Sequence, residues 1–202
     1  MKLKQLESAI QEICPERDFG NTPTIELEQY STPPRLAATL LLEIQDFITE
    51  RIAFDLGCGC GVLSAGISVL EASMVYCLDI DQKCLDITSG NLNSVDIKAE
   101  FIRGNVEDFK GKDWADVVVT NPPFGTRKTG IDWVFVEKGL VLAPDVFSFH
   151  KTSTRKFFQK KVKEGGIGGE IMMTVPFELP KMYKIHKKKA VNVDVDIWHF
   201  SR

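Results

Sequence analysis

Arg51-Ile52-Ala53-Phe54-Asp55-Leu56-Gly57-Cys58-Gly59-Cys60-Gly61-Val62 passes from an apolar strand directly into a glycine-rich turn. Arg51 to Leu56 reads as a first buried strand, and Leu63 to Leu70 follows with a helical pattern. Glycines between strand and helix let a ligand approach the backbone closely and set helix-terminal N–H groups beside it. The glycines at 57, 59 and 61 give G-x-G-x-G. Val62 stands where the third glycine of the dinucleotide fingerprint would fall, so this is a different motif. Asp55, just ahead of the turn, repels a phosphate and suits a cationic ligand.

Downstream, Met74 to Leu78 reads as the next strand and ends in Asp79-Ile80-Asp81. An acid closing the second strand of such a unit is placed to accept hydrogen bonds from ribose hydroxyls. Asp81 caps a helix running to about Asn93. Ile97 to Ile102 alternates as a strand, with Asn105 in the loop after it. Each of these residues alone has an ordinary explanation. Asp55, the glycine turn, Asp79 and Asn105 in this order at strand ends point to a nucleoside-containing ligand. Upstream, Lys2 to Ile13 forms an amphipathic helix with Leu3, Leu6, Ile10 and Ile13 on one face. A loop with Gly20, Asn21 and Pro23 follows. Thr32 then reads as an N-cap and Pro33 as N1 of a helix running from about Pro34 to Phe47. Gln29, Tyr30 and Thr32 can fold over a ligand as a lid; for Thr32, capping is an equally good account.

The second motif is Thr120-Asn121-Pro122-Pro123-Phe124-Gly125, after the apolar run Ala115 to Val119. Two prolines bar helix continuation and remove two backbone donors, and Pro122 pushes Asn121 towards an extended conformation. The product is a stiff loop at a strand's carboxyl end, where open α/β sheets bind ligands. The Asn121 side-chain oxygen and a proline carbonyl can each accept one hydrogen of a planar NH2 group, and Phe124 can stack on the adjoining ring. Two acceptors so placed favour a more pyramidal nitrogen with a freed lone pair. Asn121, Pro122, Pro123 and Phe124 are therefore the candidate catalytic residues. Pro-Pro alone would read as a turn; the glycine motif upstream favours the functional reading.

A chain of 202 residues with 44% hydrophobic and 26% charged residues fits one domain, 1–202, with 1–48 as a helical cap over the cofactor site. No apolar run reaches the roughly 18–20 residues needed to span a bilayer, and the amino terminus lacks a signal-peptide core. Five cysteines without a disulfide framework fit reduced thiols in the nucleus and cytoplasm. Cys58 and Cys60 lack the second pair that a structural zinc site needs, so no metal is expected. The net charge is −3, yet Lys151 to Lys189 holds eleven Lys/Arg against three acids. That stretch is either a polyanion-facing surface or a set of Lys-rich solvated helix faces. His150 reads as structural. His186, within Lys184 to Lys189, reads as part of an RNA-phosphate contact surface with Lys187, Lys188 and Lys189. Arg127 and Lys128 lie in a glycine-flanked substrate loop, Gly125 to Gly130. A helix from about Asp132 to Ala143 follows, then strands near Asp145 to Phe149, Glu170 to Val175 and Val191 to Phe200. Gly165 to Gly169 forms a turn.

Asp55 to Gly61 resembles the cofactor motif of class I S-adenosylmethionine-dependent methyltransferases, and Asn121 to Phe124 resembles the amine-binding motif of their planar-nitrogen branch. Glu28-Gln29-Tyr30, Asp79-Ile80-Asp81, His150 to Arg155 and Tyr183 to Lys189 extend the similarity to the family of eukaryotic small-subunit ribosomal RNA N6-adenosine methyltransferases. The resemblance implies a doubly wound, Rossmann-like α/β fold with a mostly parallel seven-stranded sheet, an antiparallel carboxyl-terminal strand and helices on both faces. It implies S-adenosyl-L-methionine as cofactor, contacted by Gln29, Thr32, Gly57, Cys60, Val62 and Asp79. Asn105 stands where the family more often has an aspartate. Arg127, Lys128, Lys151, His186 and Lys187 to Lys189 would hold the RNA. A small zinc-binding activator protein, pairing along an edge strand near Ile97 to Ile102, is implied by kinship alone. Two rivals share these features: a protein glutamine N5-methyltransferase, and a non-catalytic RNA-binding subunit.

Overall fold

The computed structural model describes residues 1–15, 24, 27–93, 95–180 and 190–202. Seven strands form one sheet: β1 (Ile52–Leu56), β2 (Met74–Asp79), β3 (Ala99–Arg103), β4 (Val117–Thr120), β5 (Asp145–Lys151), β6 (Gly168–Pro180) and β7 (Ala190–Ser201). Their spatial order is β3-β2-β1-β4-β5-β7-β6. The first five pair in parallel, while β7 runs antiparallel to both β5 and β6.

Among the described residues six α-helices cover the sheet: α1 (Leu3–Ile13), α2 (Pro34–Glu43), α3 (Val62–Val69), α4 (Gln82–Leu92), α5 (Ile131–Leu142) and α6 (Arg155–Gly165). Alternation along the strands assigns side chains to two cores. Ala53, Val75, Cys77, Val117, Val119, Phe147 and Ile197 pack with residues of α1 to α4. Phe54, Leu56, Leu78, Val118, Val146, Trp198 and Phe200 pack with α5 and α6. Coverage of both faces explains why β4 reads as an unbroken run of Val117, Val118 and Val119, all fully buried. Each such side chain contributes about 1.5–3 kcal/mol before the entropy of ordering is subtracted.

Several boundaries differ from those read in the sequence. Pro33, not Thr32, is the N-cap of α2, and Pro34 is its first helical residue. Thr32 instead accepts a hydrogen bond from another loop. The helix stops at Glu43 and is followed by a short 3-10 turn, Gln45–Phe47. The edge strand is Ala99–Arg103, two residues later than its alternation suggests, because Ala99 is the first to pair with β2. Helix α6 had no separate sequence signal; its face is basic, with Phe158 buried beneath. Gly166 ends it at φ +61°. The β6–β7 hairpin extends well beyond Glu170 to Val175, with an irregularity between Ile171 and Met173.

The sheet order puts a switch point between β2-β1 and β4. Connections leave the carboxyl ends of β1 and β4 in opposite directions there, opening a crevice. The register Asp55↔Val119 brings the turn after β1 beside the loop after β4. Thr120 ties the two ends together by donating from Oγ1 to the Leu56 carbonyl at 2.6 Å.

Candidate active site

The glycine turn is bent over the end of β2: Gly57 and Cys58 both donate to the Leu78 carbonyl, at 2.8 and 3.0 Å. Gly57, Gly59 and Gly61 all have positive φ, a conformation that costs an L-residue about 1–2 kcal/mol. At Gly57 space is limiting too, since an added Cβ would lie 2.8 Å from Phe135 Cε1. The carbonyls left over by the turn are taken by α4. Thr88 Oγ1 donates to Gly59 O at 2.8 Å, and Asn91 Nδ2 donates to Cys60 O at 2.9 Å. The sequence reading missed both residues; their spacing of three on one helix face is the only signal they carry.

Asp55 does not line the cavities described below. It is fully buried, and its Oδ2 accepts from the Ser64 backbone N–H (3.0 Å) and from Ser64 Oγ (2.5 Å) in the first turn of α3. Odd-numbered residues of β1 face α3, so the carboxylate serves the helix start instead of a cationic ligand. Burial pushes its pKa up from 3.8 to about 7, against the opposing effect of the Ser64 hydrogen bonds. Its Oδ1 has no partner.

Asp79 closes β2 at the mouth of the crevice. Its Oδ2 accepts from Gly59 N and its Oδ1 from Asp81 N, both at 2.9 Å. Burial raises its pKa, and these backbone hydrogen bonds oppose the rise. Asp79 lines a cavity of about 250 Å³ together with Gly57, Ile80, Asn105, Val106 and Pro123. Asn105 Oδ1 accepts from Glu107 N at 3.1 Å, and its side-chain amide also meets the Glu107 carboxylate, whose pKa is lowered by Lys128 and by this contact. Lys128 also lines this cavity and is ion-paired with Glu107. It therefore sits beside Asp79 and Asn105 in the larger cavity. The Arg127 side chain is exposed, while its backbone N–H donates to Glu28 Oε1 at 2.9 Å.

A smaller cavity adjoins the first at Gly57. Tyr30, Ser31, Thr32, Cys58, Gly59, Cys60, Val62, Leu63 and Asn121 line it. The segment Leu27 to Thr32 straps over both cavities and is tethered at each end. Gln29 Nε2 donates to Asp81 Oδ2 at 2.9 Å, so Gln29 holds the strap to α4 without lining either cavity. Asn121 Nδ2 donates to Thr32 Oγ1 at 2.9 Å, and the Asn121 Oδ1 is buried without a partner among the described residues. Tyr30 OH donates to the Pro122 carbonyl at 3.1 Å. Phe124 is 5% exposed, with Lys151 Nζ 5.3 Å from its ring centroid. The structure thus gathers Thr32, Gly57, Cys60, Val62, Asp79, Asn105, Asn121 to Phe124 and Lys151 around one crevice, and leaves Asp55 beneath it. His150 is fully buried 3.9 Å from Asp132, and burial lowers its pKa, so the imidazole is neutral. His186 and Lys187 to Lys189 lie outside the described residues.

The methyltransferase small domain family matches residues 35–141, just over half of the chain. The rRNA N(6)-adenosine-methyltransferase METTL5 of Danio rerio is 40% identical over 100% of this chain and 99% of its own length. The Drosophila melanogaster protein of that name is 36% identical, over 99% and 96%. Among solved structures, PH1948 of Pyrococcus horikoshii superposes with a TM-score of 0.87 at 32% identity, covering 100% of this chain and 98% of that one. No helix among the described residues is long and apolar enough to cross a membrane. A domain match of this extent, with relatives well above 30% identity along nearly their whole length, leaves one assignment: the chain is a methyltransferase and belongs to the METTL5 family.

Proposed function

We propose that this enzyme methylates N6 of an adenosine in small-subunit ribosomal RNA, with S-adenosyl-L-methionine as donor. The observation that carries the proposal is the Asn121 Oδ1: a buried hydrogen-bond acceptor without a partner, one residue from the Pro122 carbonyl and three from the Phe124 ring. An unpaired buried acceptor costs about 1–3 kcal/mol, and the NH2 of an inserted adenine would satisfy it. The residues at the two cavities fit the donor. Asp79, which also fixes the turn, retains lone pairs for ribose hydroxyls, the Asn105 amide carries two N–H groups and can share one with an adenine edge beside its Glu107 contact, and Ile80 and Val106 offer apolar faces. When bound, the donor supplies an electrophilic methyl group.

The chain's own residues do the rest. Asn121 Oδ1 and the Pro122 carbonyl grip the two amino hydrogens and localise the nitrogen lone pair. Phe124 holds the ring by stacking, Lys151 lies beside it to meet phosphate, and the surplus proton leaves to solvent. Extruding the adenine costs roughly a few kcal/mol, less from a single strand. The RNA surface continues from Lys151 along α6, whose eleven residues hold five Lys/Arg and one Glu. The β3 edge, hydrogen-bonded on one side to β2, offers a small zinc-binding activator a strand to extend. The setting is the nucleus and cytoplasm, where ribosomal subunits are made and used.

Mass spectrometry of ribosomal RNA nucleosides, from cells carrying the wild type or Asn121→Ala, tests this reading. One N6-methyladenosine should disappear from the small-subunit RNA. An unchanged profile refutes it, and methyl incorporation that survives ribonuclease but not protease would establish a protein amide as the acceptor.

A further inference from the structure

Every group that would grip the acceptor base is covered in this structure, and the cover includes one side chain, Tyr30. Its hydroxyl donates to the Pro122 carbonyl at 3.1 Å, the contact that an amino hydrogen would make. Its ring lies 5.1 Å from that of Phe124 at 40°, within the distance of an aromatic contact. Phe177 closes the edge of Phe124 at 5.9 Å and Lys151 lies over the ring at 5.3 Å, which leaves Phe124 only 5% exposed. The Asn121 Oδ1 beside them is buried and unpaired. Burial raises the Tyr30 pKa well above its usual value, so the hydroxyl stays protonated and remains a donor.

We infer that Tyr30 stands in for the acceptor base: it fills the slot until a planar donor replaces its ring on Phe124 and its hydroxyl on Pro122, which makes it a specificity-determining residue. The inference rests on the proposed use of the slot for adenine. The exchange is balanced, one aromatic contact and one hydrogen bond for another. The gain is at Asn121 Oδ1, which the tyrosine hydroxyl leaves unpaired and an amino group with two hydrogens can reach. A ring without an NH2 recovers the stacking and nothing at Asn121. Such a ring does not displace the tyrosine. Glu28, Gln29 and Thr32 are tied to Arg127, Asp81 and Asn121 on either side. The strap can therefore stay in place while the Tyr30 side chain rotates out.

The test uses the full chain with Tyr30→Phe, and deproteinised ribosomal RNA from cells carrying Asn121→Ala as substrate. Loss of the competing hydrogen bond should lower KM for RNA about fivefold, the worth of one neutral hydrogen bond, with no matching fall in kcat. A fall in kcat at unchanged KM overturns the inference, because the hydroxyl would then be polarising Pro122 during the reaction. A second readout is independent of turnover. The chain has three tyrosines, and in protein labelled with 3-fluorotyrosine the fluorine resonance missing from Tyr30→Phe belongs to position 30. Saturating hexaadenylate should move that resonance towards the solvent-exposed value, and hexauridylate should not. A resonance that stays put while the RNA is bound and methylated overturns the inference and leaves the proposed function intact. Absence of any methylation by the wild type would instead count against the function.

Discussion

Asp55→Asn separates the structural from the ligand-binding role of that carboxylate by its dependence on pH. Asp55 is fully buried, accepts twice from Ser64, and has a pKa raised from 3.8 to about 7. A carboxyl whose folded pKa lies above its unfolded one binds its proton more tightly in the folded state. Its contribution to stability is complete below pH 3.8 and is lost as pH rises through about 7. Full loss corresponds to about 4 kcal/mol at 1.36 kcal/mol per pH unit, and about 3 kcal/mol of it falls between pH 4.5 and 8.5. Asparagine keeps an acceptor for Ser64 and cannot ionise, but its NH2 meets the place where Oδ1 has no partner, at about 1–3 kcal/mol. The variant should be less stable than wild type at pH 4.5 and more stable at pH 8.5. Urea unfolding followed by tryptophan fluorescence measures the difference between the two proteins. Taking that difference cancels other titrating groups such as His150, whose lowered pKa gives a slope of opposite sign. A difference constant to within about 0.5 kcal/mol over this range would refute the buried-charge account.

Gly57→Ala should destabilise the chain by about 2 kcal/mol, from positive φ and the 2.8 Å approach to Phe135. That is about 4–8 °C in Tm for a domain of this size, readable by calorimetry. Thr88→Val removes the 2.8 Å bond to the Gly59 carbonyl and should cost about 1 kcal/mol in urea unfolding. It should also weaken S-adenosyl-L-methionine binding in titration calorimetry more than Thr39→Val does, since Thr39 bonds only to the Arg35 carbonyl within α2.

The strand ends were legible because their chemistry is local. A buried parallel strand reads as an apolar run, and a glycine turn or a Pro-Pro pair stops it in a way that few other sequences do. Asp79 and Asn105 could be placed for the same reason, Asp79 closing one strand and Asn105 lying two residues beyond the next. Asp55 was misread because its partner is fixed by which face of β1 it occupies, and Ser64 lies nine residues on, across the turn. Of the two roles open to Thr32 the cap is the one that fails: a threonine before two prolines looks like a cap, while its hydrogen bond comes from Asn121, 89 residues away. Thr88 and Asn91 carried only their spacing of three, and a helix face turned to a loop looks like any polar face.

The long-range contacts that the sequence withheld are those that join the two halves of the site. Glu28, Gln29, Tyr30 and Thr32 bind Arg127, Asp81, Pro122 and Asn121, so one six-residue strap touches both the end of β2 and the loop after β4. Thr32 lines the smaller cavity, and its hydroxyl holds the Asn121 amide in the orientation that, in the proposed reaction, leaves Oδ1 for the acceptor. Were that amide turned over, its NH2 would face an incoming amino group, donor against donor. The strap therefore fixes the direction of the Asn121 side chain as well as covering the donor. By this logic Thr32→Val, which keeps the shape and removes the acceptor, should impair methyl transfer even where donor binding is preserved.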